Sequence, residues 1–158
     1  MEQLDYVSLP KRAATYFRIT YLLEIVISAV AVSFGWFIFR QIDWVPSVAY
    51  GLYALIIIWG CYRLLWYAER RRQNTWYQLY EDRLVIHKGV WEKHHVTIPM
   101  FRVQHVTVKR GPLLRMYALA NTTFFTAGSS YDIPAVEEDK AEDIRDRVID
   151  LAKEREEY

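Results

Sequence analysis

A two-helix membrane hairpin followed by a small, largely β domain closed by a C-terminal helix is the α+β architecture this 158-residue sequence predicts. Three observations carry it. Two long apolar runs fill most of the first half. The second half breaks into short β-branched and aromatic stretches divided by turn residues. The last stretch changes to a helical period with an acidic start. Hydrophobic residues make up 53% and charged residues 25% of the chain, and both shares are high because the two kinds are segregated along it.

The first run, Ile19 to Phe39, reads ITYLLEIVISAVAVSFGWFIF. Glu24 is its only formal charge, and at about 1.5 Å per residue it spans the ~30 Å hydrocarbon core. It ends in bulky Trp36, Phe37 and Phe39, unlike the small-residue cleavage site of a signal peptide, so it is expected to stay uncleaved. The second run, Val45 to Tyr62, extends to about residue 66 if Arg63 snorkels toward the headgroups. Only Arg40 to Trp44 separates the runs, so they form an antiparallel hairpin, helices about 19–39 and 45–66. Tyr16, Trp36, Trp44, Trp59, Trp66 and Tyr67 lie mostly near the run ends, where amphipathic rings settle at the interface.

Orientation follows from the flanking cations. Lys11, Arg12 and Arg18 precede the first run, and Arg63, Arg70, Arg71 and Arg72 follow the second, while the turn offers only Arg40 beside Asp43. Basic residues favour the cytoplasmic side, so a multi-pass cell-membrane protein with both termini cytoplasmic is expected. Residues 1–72 then form the anchor and 73–158 the cytoplasmic domain. The Arg70 to Arg72 cluster sets topology and lies close to lipid.

In that domain the expected strands are Trp76 to Tyr80, Arg83 to His87, Val90 to Ile98, Val103 to Lys109, Asn121 to Ala127 and a short Tyr131 to Ile133. Glu81-Asp82, Lys88-Gly89 and Gly128-Ser129-Ser130 are turns, Pro99 and Pro134 stop strands, and Gly111-Pro112 opens a helical turn over Leu113 to Leu119. From Val136 the apolar residues Ile144, Val148 and Leu151 recur at helical spacing on a charged helix. Glu137, Glu138 and Asp139 suit its N-terminus, and Lys153 and Arg155 its end.

These stretches resemble a known family: bacterial pleckstrin-homology (PH)-like domains attached to two membrane helices, of the YdbS-like type. The matching segments are WYQLYEDRLVIHKGVW (76–91), IPMFRVQHVTVKRGPLLRMYALANTTFFTAG (98–128) and the terminal helix. The best matches are Tyr80 to Gly89, Ile98 to Val106, Gly111-Pro112-Leu113 with Arg115, and Thr126-Ala127-Gly128. One departure is Ala118, where the family has Gly; an Ala fits there if φ stays negative. The resemblance implies a PH-like split β-barrel capped by the C-terminal helix. It also implies a membrane-bound binding or assembly module in envelope maintenance, with a part in resisting membrane-active antimicrobial peptides.

Chemistry-bearing motifs are sparse. No P-loop, nucleophile elbow or HExxH occurs, and no Ser, His and acid are grouped as a triad, so no enzyme and no cofactor is expected. Cys61 is the one cysteine and lies in an apolar run. His94 and His95 are adjacent and on a strand face opposite sides, so they cannot readily share a metal, and His87 and His105 read as strand-surface residues. Residues 1–72 and 73–135 each carry a net +3 and residues 136–158 a net −5, with no dense basic stripe, which argues against nucleic acid.

Lys88, Lys93, Arg102, Lys109, Arg110 and Arg115 are candidate contacts for lipid headgroups or a protein partner, although lysines on strand edges also serve to block edge pairing. Glu24, about one helical turn inside the interface, shares a face with Ser28. It either meets a partner helix in the membrane or snorkels. The expected function is a non-enzymatic adaptor whose partners are membrane lipids and another membrane protein carrying PH-like domains, with homo-oligomerisation left open. The alternative is a sensor of anionic lipid headgroups at the cytoplasmic face.

Overall fold

The computed structural model describes residues 6–156, with side chains through Leu151, so Lys153 and Arg155 lie outside the described side chains. The chain divides into two compact units. One is Phe17–Glu69; the other joins the residues up to Tyr16 to those from Arg70 onward.

The helical unit is a hairpin of α1 (Lys11–Phe39) and α2 (Val45–Tyr62), joined by the turn at residues 40–44. The helix starts ahead of the apolar run because Lys11 to Ile19 contains no breaker after Pro10. Pro46 sits in the first turn of α2, where its missing N–H costs nothing. Past Tyr62 the helix continues through one π-helical turn, Arg63–Tyr67, into α3 (Ala68–Gln73). The two helices touch closely where Gly60 meets Ile25: a Cβ on Gly60 would lie 2.6 Å from the Ile25 side chain. Ser33 and Tyr53 share a hydrogen bond of 2.6 Å across the hairpin. The outer surface is apolar almost throughout, with Ile27, Val30, Phe34, Phe37, Leu55 and Ile58 all exposed. So large a contiguous apolar surface belongs in lipid rather than water.

The other unit holds two antiparallel sheets. The first has the order β1-β2-β3-β4, from Val7–Ser8, Trp76–Leu79, Arg83–Lys88 and His94–Pro99. The second has the order β5-β6-β7, from Val103–Lys109, Leu119–Thr126 and Ser130–Glu137. A 3₁₀ turn at Met100–Arg102 follows Pro99 and joins the sheets, and α4 (Pro112–Met116) joins β5 to β6. Helix α5 (Glu138–Glu156) packs on β5, β6 and β7. Its Val148 is fully buried and Ile144 nearly so, against a core that includes Phe124, Leu119, Ile133 and Met100. Burying each such side chain is worth about 1.5–3 kcal/mol.

Several boundaries differ from the sequence expectation, each for a local reason. Strand β4 starts at His94 rather than Val90, because Gly89 adopts φ +123 and folds the next residues into a loop; a Cβ there would lie 1.8 Å from the Glu92 carbonyl oxygen. Strand β7 runs through Pro134 instead of stopping at Ile133. The register shifts there, so Pro134 and Ala135 bulge opposite Asn121, whose Oδ1 accepts a hydrogen bond from the Ala135 N–H at 2.8 Å. Helix α5 begins at Glu138, two residues later than expected, because Val136 and Glu137 still pair with β6. Helix α4 ends at Met116, and β6 already starts at Leu119. Ala118 between them has φ +52, not the negative value expected of an alanine. The turn places the Ala118 carbonyl to accept the Glu138 N–H at 3.1 Å, which fastens the start of α5 to the end of α4. Strand β1 was not expected at all.

Candidate functional site

Within the hairpin the π-helical turn begins at Arg63, and the Arg63 guanidinium pairs with the Glu24 carboxylate on α1. Its carbon also stands 3.9 Å from the centre of the Tyr21 ring. A planar cation held between a carboxylate and an aromatic face loses less on leaving water than a bare charge does. Tyr21 is buried, and its ring lies 6.1 Å from that of Tyr67, at the far end of the π turn. Ser28 donates to the Glu24 backbone carbonyl at 2.7 Å, so its hydroxyl is satisfied within its own helix. Glu24 therefore has an ionic partner in the same chain, a pairing the sequence reading did not include. The two residues lie at similar counts from the Arg40 to Trp44 turn, and that hairpin symmetry is the signal that could have joined them.

The Arg70 to Arg72 cluster fills the last turn of α3, where cations suit the helix dipole. Arg72 donates to the Leu9 carbonyl at 3.1 Å, and the Thr75 hydroxyl donates to the Arg71 carbonyl at 2.8 Å.

The six basic residues singled out on the β domain do not form one patch. Lys88 pairs with Asp132 at 2.7 Å, a bond between β3 and β7. Arg110 reaches α5, where it pairs with Glu138 at 2.7 Å and with Glu142 one turn on. Arg102 lies beside the Phe101 ring at the start of β5, and Lys109 closes the same strand about 20 Å away. Lys93 stands in the β3–β4 loop and Arg115 on α4.

Of the four histidines only His87 and His95 come together, and His87 is buried rather than on the strand surface that the sequence suggested. Register places His87 opposite both Trp76 and His95, giving a row of rings with centroid separations of 5.0 Å and 4.1 Å. His87 is buried, and its Nδ1 has no hydrogen-bond partner among the described residues. Burial pushes its pKa down from the ordinary value, with help from the neighbouring His95, while a hydrogen bond to the Asn74 backbone opposes the shift. His94 faces Glu92 at 3.6 Å, and His105 stacks on Phe125 at 4.3 Å. Among the described residues no three His, Cys, Asp or Glu side chains converge on a metal position.

The domain carries an open groove of about 720 Å³. Phe101 to His105, the Thr126 to Ser129 turn, Tyr131 and Ile149 line it. The start of β5 lines the groove, and among the described residues β5 pairs with β6 alone.

Over residues 9–152, covering the hairpin and the β domain together, the sequence matches the family model described as Bacterial PH domain. The chain belongs to the bacterial PH domain family. It is 33% identical over 139 residues to the transmembrane protein YdbS of Bacillus subtilis (strain 168), covering 84% of this chain and 85% of YdbS. It is also 25% identical over 96 residues to the transmembrane protein YdbT of the same organism, covering 58% of this chain and 19% of YdbT. A solved structure of a protein with a pleckstrin-homology domain from Shewanella loihica PV-4 aligns with TM-score 0.39 at 12% identity, over 49% of this chain and 70% of that one. This bacterial PH domain protein is thus a membrane protein with a YdbS-like plan: two long apolar helices, then β sheets and a closing helix.

Proposed function

We propose that this bacterial PH domain protein is a non-enzymatic adaptor: the hairpin holds the β domain at the cytoplasmic face, both termini on that side, and the domain assembles with another membrane protein in envelope maintenance. The two sheets are read as the halves of a split barrel capped by α5. The observation that carries the proposal is that open groove, lined by the start of β5 and by the β6–β7 turn, with Phe101 62% exposed at its rim. An extended polypeptide can lie in such a groove and seat a side chain beside the aromatic. The partner is expected to be a membrane protein carrying PH-like domains; the partial similarity to the longer YdbT supports that choice. A role in resisting membrane-active antimicrobial peptides is an extension of the same assembly.

The test is purification of the full chain in mild detergent followed by mass spectrometry. A stoichiometric membrane partner, lost in Phe101→Glu and retained in Arg115→Gln, is the expected result. A chain recovered alone, or a partner unaffected by Phe101→Glu, contradicts it. Glu24→Leu in the same assay asks whether the hairpin adds an intramembrane contact to the partner.

A further inference from the structure

The groove at the start of β5 holds an unanswered charge. Arg102 is the only Lys, Arg, Asp or Glu among its lining residues, and its guanidinium carbon stands 5.9 Å from the centre of the Phe101 ring. Among the described residues Arg102 makes no ion pair. Lys88, Arg83, Arg110 and Arg145 each meet a carboxylate, of Asp132, Asp82, Glu138 and Asp146 in turn. The carboxylates that adjoin the lining in sequence do not answer Arg102 either. Asp132 is held by Lys88 at 2.7 Å, and Asp150 is not part of the lining.

Around that charge the wall offers donors and rings. Gln104 sits where the register slips between Val103 and His105, so it has no cross-strand partner on β6. Gln104, Ser129 and Tyr131 bring an amide, a hydroxyl and a phenol to the wall, and Phe101 and Tyr131 bring aromatic surface. Register also fixes where the groove lies. Leu79, Leu84 and Ile98 pair across the first sheet at the end opposite Trp76, His87 and His95, and Phe101 follows soon after Ile98. The groove is therefore remote from α3, through which the chain enters the domain, and this favours a polypeptide over the membrane surface as its occupant.

We propose, resting on the assembly reading of this groove, that its occupant is an acidic, extended segment of the partner, whose carboxylate pairs with Arg102 while a neighbouring apolar side chain lies on Phe101. A guanidinium presents a planar fork that matches a carboxylate with two parallel N–H donors. The adjacent aromatic face keeps that fork oriented, so less freedom is lost when the carboxylate arrives. With no carboxylate in the wall, an acidic segment meets no repulsion inside the groove, whereas a basic one faces Arg102.

The experiment selects a phage library of random decapeptides on the full chain in phosphatidylcholine nanodiscs. Enriched peptides are expected to carry Asp or Glu beside an apolar residue. Their binding should weaken about tenfold in Arg102→Gln, the scale of one charged hydrogen-bonded contact, and less in Arg102→Lys, and stay unchanged in Arg115→Gln. Added salt should weaken it as well. Arg102 is exposed, so its substitution leaves the core intact. No enrichment, enrichment without acidic residues, or wild-type affinity in Arg102→Gln overturns the proposal. If no acidic peptide binds, phosphatidylglycerol retention that is lost in Arg102→Gln would assign the groove to lipid instead. The two readings fail separately. A partner lost in Phe101→Glu but retained in Arg102→Gln leaves assembly standing and overturns acid recognition, and acidic peptides bound through Arg102 with no partner recovered from detergent do the reverse.

Discussion

The guanidinium of Arg63 pairs with the carboxylate of Glu24 across the helical hairpin, and the Tyr21 ring covers its face. Each charge would be costly alone in the hydrocarbon region, and together they are nearly neutral. The pair therefore joins α1 to α2 at the end of the hairpin away from its turn, while Ser33 and Tyr53 join them nearer the turn.

Removing either partner strands the other. Glu24→Leu and Arg63→Leu are each expected to loosen the hairpin, with the double variant less affected than the sum. The coupling should be on the order of 1 kcal/mol, in the range of intramembrane polar pairs. A double-mutant cycle on unfolding of the full chain in mixed micelles measures it; strictly additive effects would show that the pair does not couple the helices.

Two alanines occupy left-handed backbone, Ala118 at φ +52 and Ala135 at φ +53. Glycine relieves about 1 kcal/mol or more of strain at such a position. Ala118→Gly should therefore raise stability by about 1 kcal/mol. Ala135 is fully buried, so its glycine variant also loses methyl burial worth about 0.8 kcal/mol and should come out near neutral. Thermal melts of the two variants check the difference in sign and size.

Helix α5 is held by its apolar stripe. Ile144→Asp places a charge against the second sheet without a partner and should cost several kcal/mol. The melt must use the full chain, since β1 belongs to the first sheet and a fragment starting at residue 73 lacks it. An unchanged melting temperature would show that α5 does not close the domain.

Acid should weaken the β domain through His87. Its folded pKa lies below the ordinary value of about 6.5, so below that pH the unfolded chain binds the proton first. Stability is full above about pH 6.5 and falls as pH drops toward the folded pKa, by at most about 1.4 kcal/mol per pH unit. His87→Gln should flatten that part of the profile, as followed by chemical denaturation between pH 7.5 and 5. An identical slope in the variant would assign the acid sensitivity elsewhere.

The order of elements was legible because periodicity and turn residues report it directly. The runs around Ile19 and Val45 read as helices, and β2, β3, β5 and β6 fell within about two residues of their expected places. What sequence could not show depends on contacts between distant segments. Two residues, Val7 and Ser8, form a strand only because Tyr77 and Trp76 wait opposite them. Ala118 holds a glycine-like φ because its carbonyl must reach Glu138. Of the site residues, Lys88 and Arg110 read as candidate headgroup or partner contacts, and in the fold they are struts to Asp132, Glu138 and Glu142. The local sequence around a cation does not reveal which distant carboxylate it meets.

The account rests on a hairpin that presents the β domain to the cytoplasm, and thiol labelling of intact cells tests that most directly. With Cys61 replaced by Ser, single cysteines are placed at Ser47, beside the hairpin turn, and at Gln73, at the end of α3. The positive-inside rule predicts that an impermeant maleimide labels the Ser47 position from outside and leaves the Gln73 position unlabelled until the cells are opened. Labelling of Gln73 but not Ser47 in intact cells would contradict the account.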